Sequence, residues 1–189
     1  MGRLTREELE PMKADKIFIS IGACGRIKMK EYIEQFGEEN IRFLAYDDYR
    51  KEKVEYKELF KFHYIDFSDA SFVDDWVKQD AKVVIVLGTR SATTLQYLGL
   101  LLMKFKTFCP QVEIKVIEYL PFDFEKVTED SKNKRQALHL FYEDDGNVEF
   151  EFLDNNILLK IADRNMDMPK ALALMNPHLF GMINEFLGK

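Results

Sequence analysis

The chain has 189 residues, 47% of them hydrophobic, with sixteen Phe and eight Tyr, which is enough apolar surface for a true core and excludes a disordered chain. A formal charge of −6 argues against general nucleic-acid binding or an anionic membrane surface as partner, since both need dense Lys and Arg. The polar start, Met1 to Asp15, has no signal-like apolar stretch, and no apolar run is long enough to span a bilayer. Cys24 and Cys109 therefore read as reduced thiols in a cytoplasmic protein without membrane insertion.

Residues 1–15 read as a charged N-terminal arm, and 16–189 as a single domain. Lys16 to Ile21 is a β-branched and aromatic run ending at Gly22, the pattern of a strand entering a turn. Met29, Tyr32, Ile33 and Phe36 then fall on one helical face, with Gly37 placed as its C-cap. Ile41 to Tyr46 and Phe62 to Phe67 read as strands two and three, separated by a charged stretch. Ser68 or Asp69 can cap a helix carrying Phe72, Val73, Trp76 and Val77. Lys82 to Leu87 is strand four, its apolar interior suited to a parallel strand covered on both faces. Leu95, Leu98, Leu102 and Phe105 mark the next helix, and Glu113 to Tyr119 is strand five.

A charged helix is expected over 124–142, with His139 on its exposed side. After the turn Asp144-Asp145-Gly146-Asn147, Val148 to Leu153 alternates apolar and acidic residues, as an edge strand does. The last helix, about 169–187, can take Pro169 in its first turn and should be kinked or split by Pro177. Strands alternating with helices at this spacing predict an α/β fold, a three-layer doubly wound parallel sheet.

In such a sheet, ligands sit at the carboxyl ends of the strands near the switch in strand order. Two segments lie there. Gly22-Ala23-Cys24-Gly25-Arg26 follows strand one, and Gly88-Thr89-Arg90-Ser91-Ala92-Thr93-Thr94 follows strand four. Glycines let backbone N–H groups approach a phosphate at a helix N-terminus. The first segment can equally be an ordinary tight turn, and the second an N-cap whose hydroxyls serve the helix itself. Cys24 is either a thiol activated at a helix N-terminus or a small buried residue. Asp47-Asp48 is either a solvated turn or a ribose or metal ligand. His63, His139 and His178 lack metal-ligand spacing, so no metal is expected.

The segments KIFISIGACG, IRFLAYDDYR, AKVVIVLGTRSATT, YLPFDFE and EFLDNNILLKIA occur in the order and spacing of the FtsZ/tubulin nucleotide-binding (GTPase) domain, which residues 16–189 resemble. The resemblance implies a Rossmann-like sheet of six strands in the order 3-2-1-4-5-6, ending in the family's central helix. It also implies that this chain lacks the second domain and the catalytic acidic loop beyond that helix. KVVIVLGTRSATT stands where the family has its glycine-rich GGGTGTG, but only Gly88 remains. Side chains at Arg90, Ser91 and Ala92 crowd a place that needs bare backbone. Arg26 to Lys28 replace the family's Asn, and Asn176-Pro177-His178 carries no carboxylate where the family reads guanine.

No catalytic residue is assigned, and no cofactor is expected. The implied function is that of a degenerate, non-catalytic FtsZ-like protein. Its partner would be itself or an FtsZ-type filament in bacterial cell division. The alternative is a GTP- or GDP-binding protein with weak or partner-dependent activity. It would use Gly22, Cys24, Gly25, Arg26, Gly88, Thr89, Arg90, Ser91, Thr93 and Thr94. Without a covering domain, Leu174, Phe180 and Leu187 either expose an apolar patch on the last helix, a candidate interface, or are covered by the N-terminal arm or turned inward by the Pro177 kink.

Overall fold

The computed structural model describes residues 13–37, 40–47, 63–66, 73, 76–163 and 165–189. Six parallel strands form one sheet: β1 (Ala14–Ile21), β2 (Arg42–Asp47), β3 (His63–Asp66), β4 (Val77–Gly88), β5 (Glu113–Leu120) and β6 (Val148–Asp154). Their spatial order is β3-β2-β1-β4-β5-β6, so β6 lies at an edge and the order reverses between β1 and β4. The helices are α1 (Gly22–Phe36), α2 (Ala92–Phe108), α3 (Glu129–Tyr142), α4 (Leu158–Ile161), α5 (Met168–Ala173) and α6 (Asn176–Leu187). The doubly wound parallel architecture expected from the sequence is the one observed.

Strand alternation divides the core into two layers. Ile17, Ile19, Ile21, Val83, Ile85 and Leu87 point to one face, where Leu95, Leu98, Leu102 and Phe105 of α2 cover them. Phe18, Val84, Val86, Ile117 and Tyr119 point to the other, under Met29 and Tyr32 of α1 and Leu179, Phe180 and Ile183 of α6. Gly37 caps α1 with φ 73°, its N–H bonded to the Ile33 carbonyl.

Several boundaries differ from the sequence reading. β1 starts at Ala14, whose backbone pairs with Val77, so the end of the expected arm belongs to the sheet. β4 likewise starts at Val77, which leaves the helix predicted for it; Val73 and Trp76 are helical, and Asp15–Lys78 ties the lengthened strands together. α3 starts at Glu129 rather than near 124, because Thr128 caps it through the Ser131 N–H while Phe122 N–H bonds the Glu125 carboxylate in the preceding loop. The last helix is split, with Pro169 and Pro177 each in a first turn. Residues 67–72 and 74–75, including Phe72 and the expected caps Ser68 and Asp69, lie outside the described residues, as does Asp48.

Of the two readings of the last helix, the inward turn is the one seen for most of the patch. Phe180 and Leu187 are buried, leaving Leu174 as its exposed member. The break before α6 re-phases the helix and turns Phe180 edge-on against Tyr32 at 5.4 Å.

Gly25 allows this packing. A Cβ there would stand 2.1 Å from the Val86 carbonyl oxygen of β4, which backbone atoms cannot yield. Gly25→Ala should therefore cost at least about 2 kcal/mol, lowering the urea midpoint by about 1 M. Gly146, with open space around it, is the control: Gly146→Ala should leave the midpoint unchanged.

Candidate functional site

The two segments singled out in the sequence meet at the carboxyl ends of β1 and β4, at the switch in strand order. Gly22 approaches Thr94, a Cβ on it falling 3.5 Å from the Thr94 hydroxyl, and Gly88 approaches Cys24, a Cβ on it falling 3.2 Å from the Cys24 Cβ. The first segment is no loop. Gly22 takes φ +69° and starts α1 immediately after β1, so Cys24, Gly25 and Arg26 are first-turn helix residues. Gly25 and Arg26 are buried.

The second segment spends its polar groups on the fold. Thr89 is buried, and its N–H and hydroxyl both donate to the Tyr119 carbonyl, at 3.1 and 3.2 Å. The Arg90 guanidinium pairs with Glu125 at 3.0 Å. Ser91 caps α2, its hydroxyl accepting from the Thr94 N–H at 3.4 Å. Thr93 is exposed and Thr94 half-buried. Ser91 thus serves as the N-cap of the helix.

Lys28 was noted in the sequence only as part of a replacement. It is buried, and its ammonium donates to Glu31 and to the Asn176 amide oxygen, each at 2.8 Å, and to the Leu172 carbonyl at 3.4 Å. It thereby bridges α1 to both halves of the split C-terminal helix. Tyr119 packs below at 5.9 Å from ring centroid to ammonium; its hydroxyl and the Asn155 amide oxygen are buried without a hydrogen-bond partner among the described residues.

A second polar cluster escaped the sequence reading. Glu118 is fully buried on β5, where Arg135 Nε donates to it at 2.6 Å and His139 Nε2 lies 3.1 Å away. His139 is thus not exposed as expected; it packs between Phe150 and Phe152, at 4.3 and 5.2 Å between ring centroids. The available signal was one carboxylate inside an apolar strand with a basic residue and a histidine one helical turn apart downstream. Among the described residues no His, Cys, Asp and Glu grouping suits a metal ion. No helix among them is long and apolar enough to cross a membrane.

A CetZ from Methanosaeta thermophila superposes with a TM-score of 0.64 at 15% identity, over 89% of this chain and 52% of that one. The chain has a tubulin/FtsZ-like fold. The TubZ of Clostridium botulinum phage c-st gives a TM-score of 0.58 at 16% identity, over 93% of this chain and 60% of that one. The chain therefore spans about half to three-fifths of the length of these tubulin/FtsZ-like structures. No protein-family model matches it, and no curated protein matches it in sequence.

Burial pushes the Cys24 thiol up to about 11, against the opposing pull of Lys28. A helix N-terminus alone would lower it, so desolvation wins here. Because the folded thiol holds its proton more tightly than the unfolded one, this contribution to stability is complete at neutral pH. It is lost as pH rises through about 11. Cys24 in the native protein should resist a disulfide-exchange reagent at pH 7 and react at the free-thiol rate only after denaturation; fast native labelling at pH 7 would contradict this.

Proposed function

We propose that the protein is a non-catalytic member of the tubulin/FtsZ-like structural class that works through protein–protein contacts. Its partner is either a second copy of itself or an FtsZ-type protein, whose filament it joins or modulates. One observation carries the reading: three of the residues expected to hold phosphate are engaged within the chain. Thr89 is held by Tyr119, Arg90 by Glu125, and Ser91 by the helix it caps. The Lys28–Asn176 bridge joins the two stretches, Arg26 to Lys28 and Asn176 to His178, that stand where the resembled family has its helix-start Asn and its guanine-reading carboxylate.

Apolar surface for a partner lies elsewhere than the sequence placed it. Leu100, Met103 and Phe141 are exposed along the groove between α2 and α3, with Phe141 at 75%. Such a cluster on one face fits a protein contact.

A second reading, GTP or GDP binding, rests on the buried, unpartnered Tyr119 hydroxyl and Asn155 amide oxygen, since buried polar atoms ordinarily find a partner. The two readings separate on affinity. Each lost charge-assisted contact to phosphate is worth about 1.5–3 kcal/mol. Losing two or three takes a micromolar ligand to about millimolar or weaker. Calorimetric titration with GTP and with GDP should give no saturable heat in the micromolar range. A micromolar dissociation constant would replace the first reading with the second.

A further inference from the structure

On the opposite face of the sheet from α1, a cleft of about 550 Å³ opens between α3, the carboxyl end of β5 and the end of β6. Its size is that of small-molecule sites. One wall comes from α3 and presents the cations Lys132 and Arg135 together with His139; the other carries Asp123, Asp154 and Asn156.

The Arg135 side chain is fixed from two sides. Its Nε donates to the buried Glu118 at 2.6 Å, and its guanidinium carbon lies 4.8 Å from the centre of the Phe152 ring. This uses one of the five guanidinium N–H donors, and the two terminal amino groups have no hydrogen-bond partner among the described residues. A carboxylate can only accept, so His139 Nε2 is the donor to Glu118, which leaves His139 Nδ1 without a partner among the described residues. A guanidinium held by a buried carboxylate and an aromatic ring loses little freedom when it takes an oxyanion in its fork.

The facing wall is built to accept. The Asn156 amide donates to Asp123 at 3.1 Å and to Asp154 at 2.8 Å, while its oxygen accepts from the Asp123 N–H at 2.9 Å. These bonds hold two carboxylates together across from the cations. Their remaining oxygen lone pairs suit an ammonium or hydroxyl on the ligand and would repel a second anionic group.

We propose that this cleft binds a small molecule bearing an oxyanion at one end and N–H or O–H donors at the other, with Arg135 holding the oxyanion and Asp123 and Asp154 the donor end. The cleft adjoins the second segment, whose Thr89 is part of its lining, and lies on the opposite face of the sheet from α1. Glu118 acts as a positioning residue for Arg135.

The test uses the full chain and two probes, inorganic phosphate and O-phosphoethanolamine, followed by calorimetry and by the shifts of the Arg135 and Gln136 side-chain signals in NMR. Both probes should saturate, phosphoethanolamine more tightly. The paired change Glu118→Gln with Arg135→Gln removes both charges, so no buried carboxylate is left unpaired. It should weaken phosphate by about tenfold or more. Asp123→Asn should reduce the advantage of phosphoethanolamine without weakening phosphate, since it removes a repelling charge. If the paired variant does not fold, Arg135→Lys keeps the charge and loses the fork, and should also weaken phosphate. The proposal is overturned if neither probe saturates on the wild type. It is equally overturned if a folded Arg135 variant binds phosphate as well as the wild type, which would place the anion elsewhere.

Discussion

The contact on which the rest of the site depends is the approach of α1 to β4. The helix lies so close to the strand that a single methyl at Gly25 would enter the Val86 carbonyl. Glycine here serves interlayer contact. In a phosphate cradle the same residue type would leave backbone N–H groups free for a ligand. Because Gly22 adopts a positive φ, the chain turns from β1 straight into α1. The residues that could have formed a loop become a helical first turn, and Gly25 and Arg26 are drawn under cover. This approach also brings Lys28 within reach of α5 and α6.

Lys28 explains why the C-terminal segment can break and still pack. A buried ammonium is costly unless its donors are satisfied, and Glu31, Asn176 and the Leu172 carbonyl satisfy them. Leu172 belongs to α5 and Asn176 opens α6, so one cation fixes both sides of the break. The hinge at Pro177 then sends Phe180 inward against Tyr32, and Lys16 holds the far end through the Gly188 carbonyl at 3.2 Å. The apolar face that the sequence left without cover is covered by this arrangement.

The fold was legible because its signals are local and repeated. Apolar β-branched strands separated by amphipathic helices leave few alternatives, and Gly37, Pro169 and Pro177 each mark a boundary through a backbone constraint. The site was less legible, because its decisive contacts join residues far apart in the chain. Glu118 meets Arg135 and His139 at separations of 17 and 21 residues, and Lys28 meets Asn176 across 148. No periodicity reports such pairs. The hydroxyls of Thr89 and Ser91 could be named from sequence as candidates for phosphate or for capping, but their partners, the Tyr119 carbonyl and the Thr94 N–H, appear only in the fold. Val77 misled for a related reason: its apolar position fits a helix face or a strand equally, and pairing with Ala14 decides it.

On the proposed reading, Thr89, Arg90 and Ser91 are engaged within the chain and the fold needs no nucleotide to hold it. The most direct measurement is the nucleotide content of the protein as purified under native conditions, found by denaturing it and separating the released small molecules by anion-exchange chromatography. The account predicts no guanine nucleotide above a trace. Release of close to one GDP or GTP per chain would contradict it.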